Sequence, residues 1–175
     1  MLDALPRLAR ARRERVMGRT ARFTRRPPGS AGTVATNRRF MSVPPQAVWD
    51  ALAEPANYGY WVVGSKHIRD ADAEFPAPGT KLHHTIGVGP LTLQDHTEVL
   101  EAAAPQYLRL RAKGRPIGTA TVILRMTPVD DGTCVEIVEY PDGPYRPLSL
   151  NPLVHVATRI RNAESLMRLE ELALR

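Results

Sequence analysis

Between residues 34 and 140 the chain alternates apolar and polar positions with period two, the spacing that sends successive side chains to opposite faces of a strand. The alternation predicts strands over residues 34–41, 65–71, 81–88, 91–102, 107–113, 117–128 and 133–140. Gly79 and the stretches GVGP, AAAP, KGRP and DDGT supply the turns between them. Links this short join antiparallel neighbours and leave no room for crossover helices. Two interruptions are helical. In SVPPQAVWDALAEPANYGYWV, Ser42 and the two prolines open a short helix with Val48, Trp49 and Leu52 on its apolar face. Pro55 ends it, and a further turn covers residues 58–61. From about Asn151 the period becomes that of a helix again, with Leu153, Val156, Ala157, Ile160, Ala163 and Met167 on one stripe, widened by Leu166, Leu169 and Leu172. The order predicts an α+β fold: a curved antiparallel sheet, two short helices after its first strand, and one long C-terminal helix covering the sheet's buried face. Where a curved sheet and a straight helix diverge, a cavity is expected.

Within this pattern a few polar residues fall on inward positions. In GPLTLQDHTEVLE the odd positions Leu91, Leu93 and Val99 are apolar, and Asp95 sits among them. In 81–88 the inward set Leu82, Ile86 and Val88 contains His84. A hairpin with Gly89 and Pro90 as its central residues sets Val88 opposite Leu91, Ile86 opposite Leu93 and His84 opposite Asp95; an odd loop length would break this pairing. Near the chain's end Val135 and Ile137 point inward and Glu139 continues their face. His84, Asp95 and Glu139 are therefore candidate acid/base groups, with Thr97 beside them, in a cavity floored by Leu82, Ile86, Leu93, Leu108, Leu110, Val122, Leu124, Val135 and Ile137. The helix is expected to add Ile160 and Met167, with Trp61 and Tyr58 over the mouth. A histidine beside a carboxylate is held in one tautomer and made more basic, which suits proton abstraction from an enolisable carbonyl. The alternative is a structural cross-strand ion pair near the open end of the sheet. His83 and His96 belong to the opposite face and are expected to be exposed. Asn151, His155 and Arg159 are expected on a solvated flank of the last helix, and the Pro/Gly-rich stretch YPDGPYRPLSLNP reads as a lid.

Composition and charge narrow the function classes. Length and a 43% hydrophobic content suit one soluble domain with a real core. No run of about 18 apolar residues is present to cross a membrane as a helix. Cys134 is the single cysteine, which excludes an intrachain disulfide and fits a reducing, cytoplasmic setting. It points away from the cavity without a basic neighbour, so it is no nucleophile. Two histidines and two acids without a ligand spacing do not make a metal site, and no metal or cofactor is predicted. There is no phosphate-binding glycine loop and no Ser-His-Asp order. The net charge of +6 is concentrated in the N-terminus: residues 1–30 hold nine arginines against Asp3 and Glu14, a balance of +7, while the rest carries fifteen basic and sixteen acidic residues. Residues 1–33 thus read as a basic, disordered extension ahead of a domain over 34–175. Its role is either none or a weak contact with a membrane surface or with phosphate, without sequence-specific nucleic-acid binding.

The stretches VPPQAVWDALAEPANYGYW, GTKL, TEVLEAAAPQYLRLRA, DDGTCVEI and RNAESLMRLEELA give the chain from residue 34 to 175 its resemblance to a known family. It resembles the START-related, helix-grip (SRPBCC) superfamily, and most of all its polyketide cyclase/dehydrase and lipid-transport branch. These are packing and turn features; none is catalytic. The resemblance implies the helix-grip fold and a hydrophobic small molecule as partner. Relatives bind apolar or amphipathic molecules, cyclise aromatic polyketides, carry lipids or quinones, or act as co-chaperones. The expected functions are binding or carriage of a lipid- or polyketide-like molecule, a cofactor-free cyclase, dehydratase or aromatase, or an interaction protein docking through its tail.

Overall fold

A computed structural model describes residues 35–88, 91–114, 118–142 and 151–175. The arginine-rich extension, the tips of two hairpins and residues 143–150 of the stretch read as a lid lie outside the described residues. Strand β1 (Ala35–Met41) leads into helix α1 (Pro45–Ala53), a 3₁₀ turn (Pro55–Asn57) and the short helix α2 (Tyr58–Trp61). Six strands follow: β2 (Ser65–Ala71), β3 (Lys81–Val88), β4 (Leu91–Ala103), β5 (Tyr107–Gly114), β6 (Gly118–Val129) and β7 (Gly132–Asp142). Helix α3 (Pro152–Ala173) closes the chain. Pro45 occupies the first turn of α1, where its missing N–H costs nothing. Asn151 caps α3 by accepting from the Leu153 N–H at 2.9 Å.

All seven strands form one antiparallel sheet in the order β1-β7-β6-β5-β4-β3-β2, so β1 closes against the last strand. Register then fixes the two faces. Leu82, Val99, Leu108, Leu110, Leu124, Met126, Val135 and Ile137 form the concave apolar layer, joined by Met41, Val48, Leu52, Tyr58 and Trp61. Leu166 and Leu169 of α3 cover it. The convex face is polar and cross-linked: Glu136 bridges Arg38 at 2.7 Å and Arg125 at 2.8 Å. Cys134 lies on that convex side but is buried, and burial pushes its thiol pKa up, so it is mostly protonated.

Helix α3 meets the sheet by the narrower of its two apolar stripes. Asn162, Ser165, Leu166 and Leu169 are buried, whereas Leu153, Val156, Ile160 and Met167 are exposed. Ile160 is 67% exposed and does not face the sheet, contrary to the sequence expectation. Nine residues, or two and a half turns, put Ile160 on the side opposite Leu169. The rotation is set by polar partners that the apolar period does not reveal. Arg161 pairs with Glu139 of β7, and Glu170 pairs with Arg39 of β1. Ser165 Oγ accepts from the Val63 N–H at 3.3 Å. Arg161 and Glu170 lie on the two flanks of the buried face and Ser165 lies within it, which turns the broader stripe outward.

Candidate functional site

The β3–β4 pairing sets Val88 opposite Leu91, Ile86 opposite Leu93 and His84 opposite Asp95, the register expected from a two-residue turn. His84, Asp95 and Thr97 are 7%, 3% and 7% exposed, so three polar side chains sit inside an otherwise apolar layer. The His84 Nε2 atom lies 3.1 Å from Thr97 Oγ1. The Asp95 Oδ1 atom accepts from the His96 N–H at 3.1 Å, and Arg69 donates to the Asp95 carbonyl at 3.4 Å. A backbone N–H on a carboxylate offsets part of the cost of burying it. Burial pulls the His84 pKa below its ordinary value, and Asp95 only partly restores it. The ring is therefore neutral at pH 7, and its Nδ1 is buried without a protein partner. A neutral imidazole with a free nitrogen can hold a hydrogen bond to a ligand or take up a proton.

A second polar group comes from α2, the start of β2 and α3. The Trp61 Nε1, Tyr58 OH, Ser65 Oγ and Asn162 Nδ2 atoms are all buried and without protein partners. Asn162 is 2% exposed, and its Oδ1 accepts from Arg161 at 3.2 Å. Tyr58 stands edge-on to Trp61 at 5.0 Å and to Phe75 at 5.4 Å, which fixes both rings. Burial raises the Tyr58 pKa, so the phenol keeps its proton. The hydrogen bond from Val63 to Ser165 ties the segment between Trp61 and Ser65 to the turn of α3 that carries Asn162. Buried polar atoms are normally satisfied, and several unsatisfied ones in one region ask for an explanation.

Of the residues singled out from sequence, Trp61, Leu82, Leu108, Leu110, Leu124, Val135 and Ile137 are buried in the concave layer, and Val122 packs half-buried against it. Ile86 and Leu93 pair in register, but their side chains lie outside the described residues. Glu139 is not brought to His84 and Asp95. Four strand spacings separate β7 from β3, roughly 19 Å along the sheet, and its carboxylate is held by Arg161. His83 and His96 lie on the other face as expected. They are half-buried rather than exposed, their ring centroids 6.0 Å apart. His155 is likewise half-buried, while Asn151 and Arg159 are exposed. Sequence reasoning missed Asn162, Ser165, Ser65 and the Tyr58 hydroxyl. The available signal was the spacing of Asn162, Ser165, Leu166 and Leu169, one helical face of mixed polarity. Among the described residues, no three metal-ligating side chains cluster.

This sheet and its covering helix are features of one family. The model for polyketide cyclase / dehydrase and lipid transport proteins matches residues 31–173, and the chain belongs to that family. Protein NE0264 from Nitrosomonas europaea has a similar structure, at 20% identity and a TM-score of 0.62, over 84% of this chain and 97% of the other. A Rhodobacter sphaeroides protein aligns at 22% identity and a TM-score of 0.64, over 83% and 95%. TTHA0849 from Thermus thermophilus aligns at 15% identity and 0.64, over 81% and 97%. At these identities the likeness is one of fold. No curated protein matches the chain significantly.

Proposed function

We propose that the domain binds an apolar or aromatic small molecule, lipid- or polyketide-like, between the concave face of the sheet and α3, and carries it without chemical change. The observation that supports this reading best is the set of buried polar atoms without protein partners, among them His84 Nδ1, Asn162 Nδ2 and Trp61 Nε1. A layer that served packing alone would be apolar there, because each buried unsatisfied group costs about 1–3 kcal/mol. A ligand with an apolar body and one or two oxygen atoms would gain contacts from the leucine floor and satisfy those atoms. The family's range of activities is consistent with this.

One observation favours a second reading, a cofactor-free cyclase, dehydratase or aromatase. His84 and Asp95 are paired across β3 and β4, and the ring is kept neutral by burial. A neutral imidazole beside a carboxylate is equipped to abstract a proton next to a carbonyl. Native mass spectrometry of freshly purified protein tests both. A retained small molecule, lost in His84→Ala or Asn162→Leu, is the expected result. Release of that molecule unchanged after incubation favours carriage, and its release short of one water favours dehydration. A ligand-free mass, together with failure to bind any apolar fluorescent probe, overturns both readings.

A further inference from the structure

The broader apolar stripe of α3 faces away from its own sheet. Leu153 is 76% exposed, Val156 55%, Ile160 67%, Met167 38% and Leu174 60%, and Ala163 between them is exposed as well. These positions follow one another at alternating steps of three and four from 153 to 167, and Leu174 comes one further heptad on. That is the 3.5-residue repeat with which two helices pack knobs into holes. A single exposed leucine is ordinary, but a continuous seam over two heptads of a surface helix is not.

We propose that this stripe is a self-association face, on which a second copy of the chain lays its own α3 in parallel. Three features favour a second copy over other occupants. The repeat is that of a paired helix, and it runs unbroken for two heptads, from Leu153 to Met167, before Glu170 takes the next seam position and Leu174 resumes it. The surface is large enough: at roughly 80 Å² of apolar surface per aliphatic side chain, two seams together bury on the order of 800–1,000 Å², near the lower bound of a specific interface. Tyr60, 41% exposed and held by Glu171 and Arg168, extends the rim at the C-terminal half. The charges that flank the seam are of both signs. Arg159 lies on one side, and Glu164 and Glu171 lie on the other, with Arg168 beside them and paired with Glu164. In a parallel pair Arg159 of each helix faces Glu164 of the other, the position at which opposite charges select the partner.

Sedimentation velocity of the full chain, from low micromolar to about 100 µM, tests this by mass action. The expected result is a concentration-dependent dimer. Ile160→Asp buries a charge in the seam and should weaken the dimer at least about tenfold, with an unchanged circular dichroism spectrum because the residue is exposed in one copy. Arg159→Glu should weaken it too, and Arg159→Glu with Glu164→Arg should restore it. In a Cys134→Ser background, Val156→Cys should form a symmetric disulfide on mild oxidation. A wild-type chain that stays monomeric throughout overturns the proposal. So does a dimer unaffected by Ile160→Asp, or one in which Val156→Cys fails to cross-link. If a monomeric wild type binds phosphatidylcholine/phosphatidylglycerol vesicles and Ile160→Asp abolishes this, the face is a lipid surface and the proposal fails.

Discussion

Replacing Leu124 and Ile160 by alanine, one at a time, separates the two faces of the domain most directly. Both substitutions remove three carbons. Leu124 is fully buried, with Leu108 and Ile137 directly across the neighbouring strands. At about 0.8 kcal/mol per buried CH₂, the transfer contribution is roughly 2.4 kcal/mol, and the void left in a rigid sheet brings the total to about 3–4 kcal/mol. Ile160 is 67% exposed, so only a third of that transfer contribution, about 0.8 kcal/mol, applies to it. Alanine's higher helix propensity returns about 0.4 kcal/mol. The net cost is below about 0.5 kcal/mol. For a domain of this size the first change lowers Tm by roughly 10–15 °C and the second by less than about 2 °C. Urea unfolding followed through tryptophan fluorescence reads the difference, since Trp61 is 3% exposed and should change its emission on unfolding. Low micromolar protein keeps any self-association out of the measurement. An Ile160→Ala cost equal to that of Leu124→Ala would mean that α3 is rotated by half a turn from the arrangement described above, and the outward seam would not exist.

Other outcomes follow from the site and from the sheet's closure. Asp95→Asn should lower the His84 pKa further, because the one carboxylate that favours the protonated ring is removed; NMR titration of the ring decides it, and an unchanged value would mean the two side chains do not interact. The His84 pKa is depressed on folding, so the unfolded chain binds the proton first and stability is lost as pH falls below the ordinary value of 6.5. His84→Gln should therefore flatten the loss of Tm between pH 6.5 and the folded pKa, and a loss of unchanged size would assign it elsewhere. Gly132→Ala would place a Cβ 2.3 Å from the Met41 carbonyl oxygen and 2.8 Å from the Phe40 ring. Relief requires moving the β1 backbone away from β7, which should cost at least about 1–3 kcal/mol in a thermal melt; a neutral effect would show that this edge of the sheet adapts freely.

The strands were legible because most have one buried face and a period of two, and the short links left few alternatives. The β3–β4 register was legible for the same reason. A two-residue turn and two inward apolar sets admit one pairing, and His84 against Asp95 came with it. The rotation of α3 was not legible. Its sequence carries two apolar stripes at the same helical period, and the longer one suggested itself as the core face. What chose between them was Arg161 with Glu139, Arg39 with Glu170, and Ser165 with Val63, contacts between residues 22 to 131 positions apart. Glu139 faces inward as expected, but it was grouped with His84 and Asp95 for a related reason. Strand parity gives the face of a side chain but not its distance across the sheet, and β7 lies four strands from β3.

The polarity of the helix face that does cover the sheet bears on what the domain holds. If α3 served only to seal the core, the outward stripe of Leu153, Val156 and Ile160 would seal it better than a face bearing His155, Thr158, Asn162 and Ser165. The first two of these polar residues are half-buried and the last two buried, with Asn162 Nδ2 left without a protein partner. Burying amides and hydroxyls in preference to available aliphatics costs stability unless something satisfies them. On the proposed reading a ligand's oxygen atoms do so, and the apolar floor around Leu108 and Leu124 takes its hydrocarbon. Asn162→Leu then becomes the discriminating change. It should stabilise the empty domain by about 1 kcal/mol or more, since it removes an unsatisfied amide from a buried position, while weakening retention of the ligand. A variant both less stable and equally able to retain the ligand would show that the Asn162 amide serves the fold, and the polar face of α3 would need another explanation.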